Sequence, residues 1–312
     1  MNNQVAELDV ATSENNIQES IAQVYIQILY AAESVKVNES TLQVSIAQRD
    51  RGQELLNAGS IAKSDFAQLE AQVSTDRYQL VTAQATLEDY KLQLKQLLEL
   101  DGENEMNIYL PTLSDENVLA PLPTKKDVYI RALSLRPEIE ASKLNVEASE
   151  LGIGIAKSSY LPTISLSAGI GTNHTSGSDF TFGEQVKNGW NNSIGLSVSV
   201  PIFNNRQTKS AVQKAKLQYE TSMLSLLDEQ KTLYKTIEGL WLDANSAQQR
   251  YAAANEKLKS TQISYELISE QFNLGMKNTI ELLTEKNNLL QAQQEQLQAK
   301  YMAILNTQLL KF

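Results

Sequence analysis

The chain contains one histidine, His174, with Asp179 and Glu184 five and ten residues further on. A metal ion needs several ligands converging on one point, and this loose spacing in a polar stretch points to a solvated imidazole instead. There is no cysteine, which removes disulfides, thiolate metal sites and a cysteine nucleophile. Serines are plentiful, but no histidine or lysine stands in a motif that would activate one. Gly-Ile-Gly occurs at 152–154 and 169–171, without the following glycines and helix start of a dinucleotide loop. Close helix packing or a kink is the plainer use for Gly152 and Gly154. These residues point away from an enzyme and from any bound cofactor.

The charged groups that do recur in a pattern sit at two matching turns, LLNAGSIAKSDF (55–66) and QFNLGMKNTIEL (271–282). Gly59 and Gly275 suit the left-handed residue that ends a helix. Ser60 or Ser64, and Asn278 or Thr279, are candidate caps for the helix that follows. Asp65 and Glu281 each lie six residues after the glycine, in a first helical turn, where negative charge suits the helix dipole. That capping role alone would account for them.

Long helices must carry these turns. Sliding residues 10–100 forward by 216 positions, with no gap, places Ile17, Ile21, Val24, Ile28, Leu42 and Gly59 on Leu233, Ile237, Leu240, Ala244, Leu258 and Gly275. A period this long implies duplication of a half-protein, not a solenoid. In the second copy Ile237, Ala244, Tyr251, Leu258, Tyr265 and Phe272 form one heptad row, and Leu233, Leu240, Ala247, Ala254, Thr261 and Ile268 the other. This is a coiled-coil seam. The first copy keeps the frame with more polar substitutions, Asn38, Ser45 and Arg49. The return helices carry Val73, Leu80, Leu87 and Leu94, then Leu283, Leu290, Leu297 and Ile304; the charged positions between these stripes read as solvated faces. A helix over about 205–274 would run on the order of 100 Å at 1.5 Å per residue, so an elongated molecule is expected.

Composition agrees with narrow helical seams. Of 312 residues, aromatics make up only 6%, and the formal net charge is −10. An acidic chain without a basic run is a poor partner for nucleic acid. No apolar run reaches the roughly 18–20 residues of a membrane-spanning helix, and MNNQVAELDV lacks the basic start and apolar core of a secretion signal.

Between the copies the pattern changes. Residues 101–123 read as an irregular connector, followed by a helix over about 125–158 that must break or restart at Pro137. Two stretches, TISLSAGI (163–170) and SIGLSVSV (193–200), alternate with period two and are bracketed by Pro162 and Pro201. The polar, glycine-rich segment between them reads as a long loop.

The segments ALSLRPEIEASKLNVEASELGIGIAKSSYLPTISLSAGIG (132–171) and SVSVPIFNNRQTKSAVQKAKLQYE (197–220) resemble the TolC-type outer membrane efflux proteins. The shared pieces are Arg-Pro-Glu, then LPTISLSAG, then VPIF leading into a long helix with Ala-Lys-x-x-Tyr, in order and correctly spaced. The resemblance covers essentially the whole chain. It implies a mainly α fold with a small membrane β portion: long coiled-coil hairpins forming an α-barrel tunnel, and a β-hairpin given to a trimeric outer-membrane β-barrel. Ile164, Leu166, Ala168, Ile170, Ile194, Leu196, Val198 and Val200 would then face lipid, and Ser165, Ser167, Ser193, Ser197 and Ser199 a wet lumen. Tyr160, Trp190 and Phe203 fall at strand ends, where interface aromatics belong. A soluble hairpin with its apolar face on a core is the alternative. At the tips, the resemblance puts Asp65 and Glu281 on acidic pore-narrowing positions, Lys277 on a basic gate position and Phe272 on an aromatic one. Gly59, Ser60, Gly275 and Met276 would meet an adaptor. The second acidic position of the ring corresponds to Thr284.

The resulting division is a first hairpin over 1–100, a connector over 101–123, a leading helix over 124–161, a barrel hairpin over 162–203 and a second hairpin over 204–312. The duplication also predicts a twin of 124–203 ahead of residue 1, so the chain reads as the C-terminal portion of a longer protein. Three copies would supply six strands, fewer than the roughly eight of the smallest membrane barrels. The implied function is the outer-membrane exit duct of a tripartite efflux or type I secretion system. It would be a homotrimer in the bacterial outer membrane reaching into the periplasm, partnered by a periplasmic adaptor and an inner-membrane pump. A periplasmic coiled-coil adaptor or scaffold, and an inactive fragment of a channel, are the alternatives.

Overall fold

The computed structural model describes residues 1–100, 108–109, 111, 118–177 and 179–311. Two compact units divide the chain. One comprises Met1–Ala6 with Glu138–Glu229, the other Glu7–Pro137 with Gln230–Phe312.

The larger unit holds most of two helical hairpins, from Glu7 in the first and from Gln230 in the second. Helix α1 (Asn2–Asn57) turns into α2 (Lys63–Leu97), and α6 (Gln207–Asn273) turns into α7 (Thr279–Leu309). The expected seam is present on α6: Leu233, Ile237, Ala244, Ala247, Tyr251, Ala254 and Phe272 are all buried. On α7, Leu290 and Leu297 are buried as the stripe requires, and the adjacent Leu282 and Leu289 broaden the dry face. Leu29 of α1 packs with Leu297 and Tyr301 of α7, joining the two hairpins in one core. Most of the expected connector lies outside the described residues. Its last part is clasped onto α6: Val118 inserts beside Ala247, Tyr251 and Ala303. The Gln248 side-chain amide donates to the carbonyls of Val118 (3.0 Å) and Ala120 (2.8 Å). The Trp241 indole donates to the Pro123 carbonyl at 2.9 Å.

Helix α3 (Lys125–Leu135) starts at a Thr124 cap, whose hydroxyl accepts from the Asp127 N–H at 3.2 Å. It stops at Arg136, which leaves the helical region (ψ 120°), and α4 (Pro137–Ser158) restarts with proline in its first position. Proline is tolerated there because that N–H has no intrahelical acceptor.

In the smaller unit, α4 meets α6 through the Ser149 and Ser222 hydroxyls, 2.7 Å apart. Strands β1 (Thr163–Gly171) and β2 (Asn191–Ser199) pair antiparallel. Val200 therefore lies one residue beyond the ladder. The segment between the strands is not all loop: α5 (Phe182–Asn188) forms behind a capping box, in which the Glu184 carboxylate accepts from the Thr181 N–H at 2.9 Å. The Thr-x-x-Glu spacing was available in the sequence; its glycines and polar neighbours masked it. Space is open around Gly152 and Gly154, so neither glycine admits a close helix crossing within the chain.

Candidate functional site

The strand pair follows from its register. Opposed residues of an antiparallel ladder share a face. Ile164 lies opposite Val198, Leu166 opposite Leu196 and Ala168 opposite Ile194; on the other face Ser165 meets Ser197, Ser167 meets Gly195 and Gly169 meets Ser193. The apolar residues of both strands thus form one continuous surface. Ile170 faces Asn192, where the apolar band ends. Every residue of both strands is exposed, Ile194 to 84%. Nine residues at about 3.4 Å each give a ladder of roughly 30 Å, which when tilted matches an apolar band of about 25 Å. Tyr160 and Phe203 lie by sequence and register beyond the Thr163–Ser199 end, and Trp190 beyond the Gly171–Asn191 end; all three are exposed. In the loop, the Gln185 side-chain oxygen accepts from the Thr175 N–H at 2.8 Å and lies 3.1 Å from His174 Nδ1. The imidazole stands edge-on to Phe182. Among the described residues no cluster of potential metal ligands forms.

The two hairpin turns are built alike. Gly59 (φ 72°) donates to the Leu56 carbonyl and Ser60 to Leu55; Gly275 (φ 71°) donates to Phe272 and Met276 to Gln271. Both are Schellman closures, which require the left-handed residue that glycine supplies without steric cost. The starts of the return helices differ. Asn278 caps α7: its side-chain oxygen accepts from the Glu281 N–H (2.9 Å), and the Glu281 carboxylate accepts from the Asn278 N–H (3.2 Å). At α2 the cap position is Ala62, not Ser60 or Ser64. There the Asp65 carboxylate does the work, accepting from the Ala62 N–H at 3.3 Å. Lys277 Nζ stands 2.5 Å from Glu281 Oε1. The ammonium and then the Asn278 N–H hold the Glu281 carboxyl below its ordinary range. Met276 projects into solvent, Phe272 is buried within the hairpin, and Thr284 spends its hydroxyl on the Ile280 carbonyl.

Two features near the tips were not expected from the sequence. Gly52 of α1 is buried where Leu69 of α2 crosses, and a Cβ there would lie 2.3 Å from Leu69 Cδ1. Further from the turns, Lys286 of α7 reaches between the Asp76 carboxylate of α2 and the Ser45 hydroxyl of α1, and Ser45 also bonds Asp76. Gln72 donates to the other Asp76 oxygen at 2.9 Å. Asp76 is 1% and Lys286 3% exposed, so these two charges do not belong to the solvated faces that the stripes suggested. Burial pushes the lysine ammonium below its usual range, and Asp76 pulls it back up. A signal existed: Asp76 continues the 69, 73, 76 row, and Lys286 stands within the 282, 286, 289 row, so each interrupts an apolar stripe.

Paired helical hairpins with matching Schellman tips, together with a strand pair of one apolar and one polar face, define a long-hairpin helical protein that carries one two-faced strand pair. Residues 128–311 match the family described as Outer membrane efflux protein, and the chain belongs to it. It is 24% identical over 290 residues to the outer membrane efflux protein BepC of Brucella suis, covering 92% of this chain and 60% of that one. It is 22% identical over 311 residues to the outer membrane protein TolC of Escherichia coli, covering 97% and 62%. The chain thus spans about 60% of the length of these curated relatives. Among solved structures, CusC superposes with a TM-score of 0.81 at 18% identity, covering 97% of this chain and 69% of that one. The fold is therefore that of outer-membrane channels: mostly long helical hairpins with one antiparallel strand pair.

Proposed function

We propose that this protein is the outer-membrane channel component of a tripartite efflux or type I secretion assembly, a passive and non-enzymatic exit duct. The observation that carries this reading is the β1–β2 register, which gathers Ile164, Leu166, Ala168, Ile194, Leu196 and Val198 on one face and serines and glycines on the other, with both faces exposed among the described residues. An exposed apolar face of this kind is stable against lipid, and the serine face against a wet lumen. Ile170 and Val200 extend the lipid face at its two ends, and Tyr160, Trp190 and Phe203 anchor it at the headgroups. β1 and β2 of three copies contribute six strands to a shared barrel, which a helical tunnel continues into the periplasm.

At the periplasmic end, Asp65 and Glu281 ring the pore, Lys277 holds Glu281 in the closed state, and Phe272 packs the tip from within. Gly59, Ser60, Gly275 and Met276 present the turns to a periplasmic adaptor, which links the duct to an inner-membrane pump and opens the tips. The test is single-channel recording of the reconstituted protein. Discrete conductance with cation preference is expected, the preference falling in an Asp65→Asn/Glu281→Gln variant and open time rising in Lys277→Ala. Membrane-inserted protein that never conducts contradicts the reading.

A further inference from the structure

The two hairpins are copies of one another, which poses a problem of pairing. A chain made of two similar hairpins can join first to second, but also first to first and second to second between molecules. The heptad rows differ in size and polarity, as at Asn38 against Ala254 and Arg49 against Tyr265, but they set no buried charge against another. The buried cluster is not alike. Ser45 and Asp76 lie on the first hairpin, Lys286 on the second, and the offset of 216 puts Thr261 and Ala292 opposite the former and Glu70 opposite the latter. In a second-to-second pairing, Lys286 would meet Ala292 and Thr261, a buried ammonium without a counter-charge. In a first-to-first pairing, Glu70 would meet Asp76, two carboxylates in one dry site. Only the unlike pairing places an ammonium between a carboxylate and a hydroxyl, with Gln72 satisfying the remaining carboxylate oxygen.

We infer that Ser45, Asp76 and Lys286 form a pairing code that makes each hairpin select the unlike hairpin and reject its own kind. A buried ion pair gains little over a well-packed apolar pair, while a buried charge deprived of its partner costs several kcal/mol. The cluster therefore contributes discrimination more than stability. Among the described residues Asp76 and Lys286 are the only charged side chains in the buried core. Elsewhere the hairpins meet through the Arg51 guanidinium, which donates to the Asn273 carbonyl at 3.5 Å, and through the Gln48 side-chain amide, which donates to the Tyr265 hydroxyl at 2.8 Å.

That last contact supplies the assay, because the chain has no cysteine. Under the repeat, position 265 corresponds to 49, and 48 to 264. A lone Gln48→Cys therefore meets its own copy only in first-to-first pairing, and a lone Tyr265→Cys only in second-to-second pairing. The full chain is refolded and treated with a short bismaleimide. In the native background the double-cysteine chain should cross-link within itself, and neither single-cysteine chain should form dimers above the level of a denatured control. Replacing the code with an apolar pair, Lys286→Met/Asp76→Leu, should raise both single-cysteine dimers by about tenfold or more, the ratio for each 1.4 kcal/mol of lost discrimination. Unchanged dimer yields with native helical circular dichroism would overturn the inference. Should that variant lose helix, Glu70→Lys decides, since Glu70 is exposed in the native chain and its reversal disturbs no native contact of the cluster. It gives first-to-first pairing a matched charge, so dimers of the Gln48→Cys chain should rise while those of the Tyr265→Cys chain do not; no rise would overturn the inference.

Discussion

Gly52→Ala offers a substitution whose sign is set by one crossing. In a helix interior, alanine is favoured over glycine by about 1 kcal/mol. At Gly239 of α6 the added methyl meets nothing within 4 Å, and Gly239→Ala should raise stability by about that amount. At Gly52 the methyl would lie 2.3 Å from Leu69 Cδ1, and Leu69 is 1% exposed and cannot swing into solvent. Forcing α1 and α2 apart or Leu69 off its rotamer costs about 1–3 kcal/mol. Set against the propensity gain, Gly52→Ala should range from neutral to about 2 kcal/mol destabilising, well below the Gly239→Ala value. Urea unfolding followed by far-ultraviolet circular dichroism measures both. A double-mutant cycle sharpens it: in a Leu69→Ala background the obstruction is gone, and Gly52→Ala should become stabilising. If Gly52→Ala stabilises the native background as much as Gly239→Ala does, the close approach of the two helices is not as described.

The buried ion pair yields an asymmetric cycle. Lys286→Met alone leaves Asp76 buried and unpaired and should cost about 3–5 kcal/mol, whereas adding Asp76→Leu should recover most or all of it; additive losses would contradict the pairing. Acid acts at the second tip. The folded Glu281 carboxyl titrates below the ordinary 4.5, so its capping contribution is present above that value and lost as pH falls through the lower, folded value. Amide exchange in the first turn of α7 should accelerate only below about pH 4.5, and Glu281→Gln should flatten the profile; an unchanged profile would remove the Lys277–Glu281–Asn278 arrangement.

Much of this architecture could be read from the residues because its signals are periodic. Ser-Ile-Gly-Leu-Ser-Val-Ser states a two-faced strand by alternation alone, and the α6 seam repeats every seven residues from Leu233 to Phe272. Gly59 and Gly275 mark the tips because a Schellman closure needs a positive φ. What periodicity does not carry is which helix faces which. Asp76 and Lys286 each interrupt an apolar stripe, but that they meet shows only when α2 and α7 are brought together, 210 residues apart in sequence. Gly52 likewise becomes meaningful only opposite Leu69. Gly152 and Gly154 show the reverse, a small-residue pattern that suggests a crossing the chain does not make. The short helix α5 was hidden by its polar composition, although Thr181 and Glu184 held its cap in view.

Whether β1 and β2 form a membrane hairpin, with lipid on one face and water on the other, is tested most directly by nitroxide labels. These are placed on single cysteines introduced from 193 to 199 in the lipid-reconstituted protein. A two-residue period is expected: positions 194, 196 and 198 accessible to oxygen dissolved in the bilayer, and 193, 195, 197 and 199 to a water-soluble nickel chelate. Equal access of both reagents along the whole stretch would contradict a two-faced membrane hairpin.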